Sequence, residues 1–203
     1  MNKRLFKTVV DIDERDLDPN DIEQMSKLVA TFYGKENLRY DLPVGHIDII
    51  QKHSHISEIF FNDDSRFFEP PSTPRTDLLR KTKDILDRYF EGDPVDFREI
   101  SVEIEDGTLF QKLVWETIHQ IPHGEVRSYK WIAEQIGRPK AVRAVGNATG
   151  NNPITIIIPC HRVIGSNGNL GGYGGGLERK RQLLSLEGYP VKDLKSTRKV
   201  SSK

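Results

Sequence analysis

The sequence predicts an α+β protein of two domains: an N-terminal α/β scaffold and a C-terminal, mostly helical unit. Three observations carry that expectation. Charge divides the chain: residues 1–105 hold 15 Lys and Arg against 23 Asp and Glu, and residues 106–203 hold 15 against 7. An acidic half of −8 is therefore joined to a basic half of +8 inside a formal net charge of zero. Hydrophobic periodicity divides it too, since the first half mixes alternating stretches with amphipathic helices and the second runs in short helices broken by glycine and proline. Finally, 203 residues with 36% hydrophobic content suffice for one large core or two small ones.

Along the acidic half, residues 5–13 (LFKTVVDID) read as a strand. Residues 18–34 read as a helix, with Asp18 as N-cap, Pro19 at the first helical position, and Ile22, Met25, Val29 and Phe32 on one stripe. HIDIIQ (46–51) and HISEIFF (55–61) are two further strands, and residues 69–76 (EPPSTPRT) are a proline-rich loop. A second amphipathic helix (TDLLRKTKDILDRYFEG) stops at Gly92 and Pro94, and residues 95–105 alternate like a strand or an extended connector. His46, His53 and His55 show no third-ligand spacing, so this half reads as scaffold and no metal or other cofactor is expected.

In the basic half, Thr108 and Gln111 stand at capping-box spacing before a helix whose Phe110, Val114, Ile118 and Ile121 share a face. Pro122 and Gly124 end it, so His119 and His123 are not two ligands of one helical face. SYKWIAEQIG and, after a Gly-Arg turn, PKAVRAVGNATG (139–150) have the spacing of a helix-turn-helix. The second helix gathers Ala141, Ala144, Gly146, Ala148 and Gly150 around one long cation, Arg143. Two glycines cost a helix about 1 kcal/mol each, and what they allow is close backbone approach to another surface. Tight packing within the domain and entry into a DNA minor groove both fit. PITIII then reads as a strand, a glycine-rich loop follows, and ERKRQLLSLEG is the last helix. The tail from 190 is polar and basic and reads as flexible.

The only cysteine, Cys160, stands in IIIPCHRVIG. One thiol cannot form an intramolecular disulfide, and the first residues contain no apolar run of signal-peptide length, so a reducing, cytoplasmic location is expected, or a nuclear one in a eukaryote. A thiol attacks as thiolate, which neighbouring cations favour. Pro159 before it and His161 and Arg162 after it suggest a strand end where side chains become accessible. A protease, a redox sensor and an alkyl acceptor all use such a thiol.

GEVRSYKWIA, RAVGNATGNNP, IPCHRVIG and GGYGGGLERKRQLLSLEG together resemble the O6-alkylguanine-DNA alkyltransferases, in order and spacing, over residues 106–189. The acidic half matches only in position. The resemblance implies a ribonuclease-H-like domain at 1–92, a connector at 93–105, a winged-helix-like DNA-binding domain at 106–189 and a tail at 190–203. It implies that Cys160 takes an alkyl group from O6 of guanine in double-stranded DNA, once, as a monomer without membrane or cofactor, with O4-alkylthymine open as a second substrate. By the same carry-over His161 is the thiol's base through a water, Glu187 supports the imidazolium, Tyr129 donates a proton to the leaving base, and Asn152 is a hinge. Ser128, Lys140, Arg143 and Ala144 contact DNA, with Arg143 filling the gap left by the flipped base. Tyr173, Gly174, Gly175 and Arg162 belong to the base pocket. Some relatives have serine at Gly174, and some hold zinc through N-terminal cysteines that this chain lacks. The alternative is a helix-turn-helix transcription factor with Cys160 as a redox switch. A protease gives no reason for the basic helix pair, and no Gly-Lys-Ser/Thr follows GGYGGG to make a phosphate loop.

Overall fold

The computed structural model describes residues 35–63 and 73–191. The strand expected at 5–13, the helix at 18–34, the first half of the proline-rich loop and the tail beyond 191 lie outside the described residues. Within them the architecture is α+β.

The acidic half supplies a three-stranded sheet in the order β1 (Lys35–Leu42), β2 (Gly45–Lys52), β3 (His55–Phe61), with β2 and β3 antiparallel. Strand β1 was not expected, because half of its residues are charged; only Leu38, Tyr40 and Leu42 mark its apolar alternation. Ile47 and Ile49 are fully buried on β2, and Asp48 is buried between them on the opposite face. Its carboxylate is tolerated there because Arg39 (2.8 Å) and Asn62 (2.7 Å) both donate to it. Helix α1 (Asp77–Glu91) begins where the Thr76 hydroxyl accepts from the Leu79 N–H and ends at Gly92, whose φ of 98° permits the left-handed cap. It buries Leu79, Ile85, Leu86 and Tyr89 against the sheet side of the core.

The alternating stretch 95–105 is not one strand. Phe97–Glu99 coil into a 3-10 turn, and only Val102 bridges Ile56 of β3. Val95, Phe97 and Ile100 are buried, which explains the alternation without a ladder.

In the basic half, α2 (Leu109–His119) opens with the capping box formed by Thr108 and Gln111 and buries Val114, Trp115 and Ile118. Two short parallel strands, β4 (Arg127–Ser128) and β5 (Val163–Ile164), were not anticipated; two residues give periodicity nothing to register. Ser128 caps α3 (Tyr129–Gln135), α4 runs Val142–Gly150, and α5 runs Leu177–Leu186. Helix α4 starts later than expected, at Val142 rather than residue 139, and no side chain caps it. Its small residues do not share one face. Ala148 is buried with Val145 and Thr149, its carbonyl accepting from Trp115 Nε1 at 2.8 Å, while Arg143, Ala144 and Gly150 are exposed.

PITIII is not a strand either. Ile154 makes a single bridge to Ile59 of β3, and the chain then turns tightly, with Ile156 at φ 72° and Ile158 N–H bonded to Ile154 O. Ile154, Ile156, Ile157 and Ile158 are nevertheless all buried. A β-branched run signals burial as strongly as it signals a strand, and here burial alone was correct. The two halves share one apolar core, and β3 is tied to the turn by Ile59 N–H to Pro153 O (2.9 Å) and Thr155 N–H to Ile59 O (3.0 Å). No described helix is long and apolar enough to cross a membrane.

Candidate active site

Cys160 opens a 3-10 turn, Cys160–Arg162, at the end of that buried segment. The expectation of an accessible strand end is corrected: the residue is 5% exposed. Cys160 instead lines a cleft of about 470 Å³. Asn152 organises the approach, its amide N–H donating to Cys160 Sγ (3.1 Å) and Ile158 O (2.8 Å) while its carbonyl accepts from Ile154 N–H (3.1 Å). One side chain thus ties the buried turn to the thiol. Burial pushes the Cys160 thiol up from its ordinary value, and the Asn152 hydrogen bond and Lys180 charge pull it back in part. Proton removal at this sulfur therefore needs a partner.

The same 3-10 turn carries His161. His161 Nε2 lies 2.8 Å from Glu187 Oε1, both residues are buried, and His161 Nδ1 has no hydrogen-bond partner among the described residues. With Nε2–H donated to the carboxylate, Nδ1 carries the lone pair, which is the tautomer a base requires. Burial lowers the imidazole's affinity for a second proton, against the pull of Glu187. Burial alone would raise the Glu187 carboxyl, but His161 and Arg162 together hold it well below the usual carboxylate range. The anion accepts from Arg162 Nε (2.9 Å) and Nη2 (2.9 Å), Gly124 N–H (3.2 Å) and the Tyr89 hydroxyl (2.7 Å).

Tyr173, Gly174 and Gly175 line the cleft, and the Tyr173 hydroxyl is 3.0 Å from Thr155 Oγ1. Gly175 is required by crowding, since a Cβ there would lie 2.7 Å from the Phe61 ring. Arg162 does not line the cleft. Its guanidinium is buried on Glu187 and donates to Ile121 O (2.6 Å), so its charge serves the carboxylate and not the pocket. Tyr129 is half-buried beside the glycine loop rather than on the cleft wall; a Cβ on Gly171 would come 2.5 Å from its hydroxyl. Arg143, Ala144 and Lys140 are exposed on and before α4, and the Ser128 hydroxyl accepts from the Trp131 N–H to cap α3.

Several contributors were missed in the sequence. Phe61 and Asp63, from the acidic half, form part of the cleft, with Arg179 stacked 4.3 Å above the Phe61 ring. Tyr89 reaches Glu187 from α1. Lys180 is fully buried and donates to Val163 O (2.6 Å) and Leu170 O (2.5 Å), its pKa lowered by burial to about 8. Leu177, Lys180 and Leu184 at helical spacing could have placed that lysine on the apolar face. His46 and His55 pair separately with Asp41 and Glu103, and among the described residues no group of three His, Cys, Asp or Glu is placed to hold a metal.

Residues 28–104 match the family model of the 6-O-methylguanine DNA methyltransferase ribonuclease-like domain, and residues 109–189 match that of its DNA binding domain. The methylated-DNA–protein-cysteine methyltransferase of Mycolicibacterium paratuberculosis is 43% identical over 150 residues, 72% of this chain and 88% of its own. That of Haemophilus influenzae is 42% identical over 156 residues, covering 76% and 87%. A crystal structure of Mycobacterium tuberculosis OGT in complex with DNA superposes with a TM-score of 0.65 at 44% identity, covering 73% of this chain and 90% of that one.

Proposed function

The chain belongs to the methylated-DNA–protein-cysteine methyltransferase family, and on that footing we propose that it repairs DNA directly, taking an alkyl group from O6 of guanine onto Cys160. The observation that carries this is the thiol itself, the only one in the sequence, on a residue that lines a cleft and stands next to a buried imidazole–carboxylate pair. The thiol proton passes to His161 Nδ1 through a water, and the sulfur attacks the alkyl carbon in line as the carbon–O6 bond breaks. Tyr129 supplies a proton to the departing guanine. The product is a thioether, which no group in the site can expel, so each molecule reacts once. The same displacement is open to O4-alkylthymine. Such a protein works as a monomer inside the cell, where DNA is.

Helices α3 and α4 serve as a helix-turn-helix in a winged-helix-like domain of residues 106–189, joined through residues 93–105 to the ribonuclease-like half. Exposed Ala144 and Gly150 let α4 approach a minor groove closely, with Lys140 and Ser128 at the backbone and Arg143 entering the stack in place of the flipped nucleotide. Asn152 links that helix to the thiol, and Tyr173, Gly174 and Gly175 hold the base. A redox-switch transcription factor fits less well, because sensor thiols are solvent-accessible and this one is buried.

Duplex DNA carrying radiolabelled O6-methylguanine tests the reading. Label should move to the protein at one equivalent, on a peptide containing Cys160; label in small molecules would overturn it. For the DNA interface, Arg143→Ala should slow duplex repair yet spare reaction with free O6-alkylguanine base, which needs no extrusion. Lys140→Ala should weaken binding in a salt-dependent way without that contrast. Equal slowing of both substrates by Arg143→Ala would assign Arg143 to the fold or pocket instead.

A further inference from the structure

We propose that Tyr89, from the acidic half, is a positioning residue of the thiol relay: its hydroxyl holds Glu187 so that His161 remains an uncharged proton acceptor. The proposal rests on the repair reading above.

Tyr89 lies in the last turn of α1 and is fully buried. Its ring packs against Phe90 and Phe97 at 5.0 Å between centroids and meets the His123 ring edge-on at 5.9 Å. Phenylalanine would fill that space equally well. What phenylalanine lacks is the hydroxyl, which lies 2.7 Å from Glu187 Oε1 and 3.5 Å from His161 Nε2. A buried hydroxyl must find a partner, and most find a backbone carbonyl; this one is aimed at the relay carboxylate. Burial and the Glu187 charge push the phenol well above its ordinary value, so it stays a donor throughout the working pH range.

Oε1 of Glu187 is contacted by Tyr89, His161 and Arg162 together. Each donor takes a share of the negative charge. The charged and titratable groups around His161 are Arg162 on its own turn, Lys180 from α5, Glu187 just beyond α5, the Cys160 thiol and Tyr89 from α1, with His123 behind the Tyr89 ring. Only Glu187 favours imidazolium, while Arg162 and Lys180 oppose it. Removing the Tyr89 hydroxyl concentrates the Glu187 charge on His161, so the imidazole holds a second proton to higher pH and loses its function as base.

The test is the pH profile of single-turnover alkyl transfer, measured on the full chain with duplex O6-methylguanine DNA between pH 5.5 and 9. Tyr89→Phe should move the rising limb upward by about one pH unit, slowing transfer up to roughly tenfold below the wild-type limb and little at pH 8.5. In a Glu187→Gln background Tyr89→Phe should add no shift. 3-Fluorotyrosine at position 89, a more acidic donor of nearly the same shape, should move the limb the other way and guards against a phenylalanine variant that does not fold. An unchanged profile, a loss of equal size at every pH, or the same shift without the Glu187 carboxylate overturns the proposal. Wild-type protein that leaves Cys160 unalkylated overturns the repair reading, and this proposal with it.

Discussion

Cys160→Ser should abolish alkyl transfer, by roughly 10⁶-fold as when other enzymes lose their nucleophile, while leaving the affinity for lesion DNA nearly unchanged. Serine is close in size to cysteine and can keep the hydrogen bond from Asn152 Nδ2, so the turn at residues 158–162 should survive. Its hydroxyl is far less acidic than a thiol, and a site that already raises the thiol's pKa by burial will not ionise it. Intact-mass analysis after exposure to O6-methylguanine DNA reads the chemistry, and gel shift reads the binding. A methyl group found on the serine variant at any other residue would remove Cys160 from its assigned role.

Glu187→Gln should affect both rate and stability. Transfer should slow by about 10²–10⁴-fold, the scale of lost acid–base assistance. The fold should lose up to about 3–5 kcal/mol, because the Arg162 guanidinium is then left buried without a counter-charge. The sign of the pH dependence follows from the depressed carboxyl. A group whose folded pKa lies below its unfolded value stabilises above the unfolded value, about 4.3 for glutamate, and loses that contribution as pH falls. Urea unfolding of the two proteins should therefore differ most at neutral pH and converge in acid. A variant as stable as wild type at pH 7 would mean that Arg162 finds its partner elsewhere.

Most helices were legible because their caps and apolar stripes are local: Thr108 with Gln111 and Val114 with Ile118 each announce themselves within a few residues, and Gly92 marks the end of α1. Strands β2 and β3 were legible by alternation. PITIII is buried by neighbours far away in sequence, and a buried β-branched run imitates a strand. Helix α4 was misread in a related way: its small residues looked like one surface, but Ala148 belongs to Trp115. In the site, sequence adjacency to Cys160 was a poor guide for Arg162, which the 3-10 turn carries away from the cleft onto Glu187. Tyr89 stands 98 residues from Glu187, and no local pattern encodes such a meeting.

The seam between the halves bears on how such a protein can be inherited. A recombination point near residue 105 separates acidic from basic sequence cleanly, yet it would cut through the pairing of β3 with Pro153 and Thr155 and through the Tyr89–Glu187 bond. The two halves are therefore not interchangeable cassettes. A replacement first half must bring a strand edge of matching register and a hydroxyl at the place of Tyr89, or the second half must first lose its need for both. Tyr89 and Glu187 meet through their side chains, so a substitution at either bears on the other, and the acidic half is tied to the site through that one hydroxyl as well as through the backbone of β3.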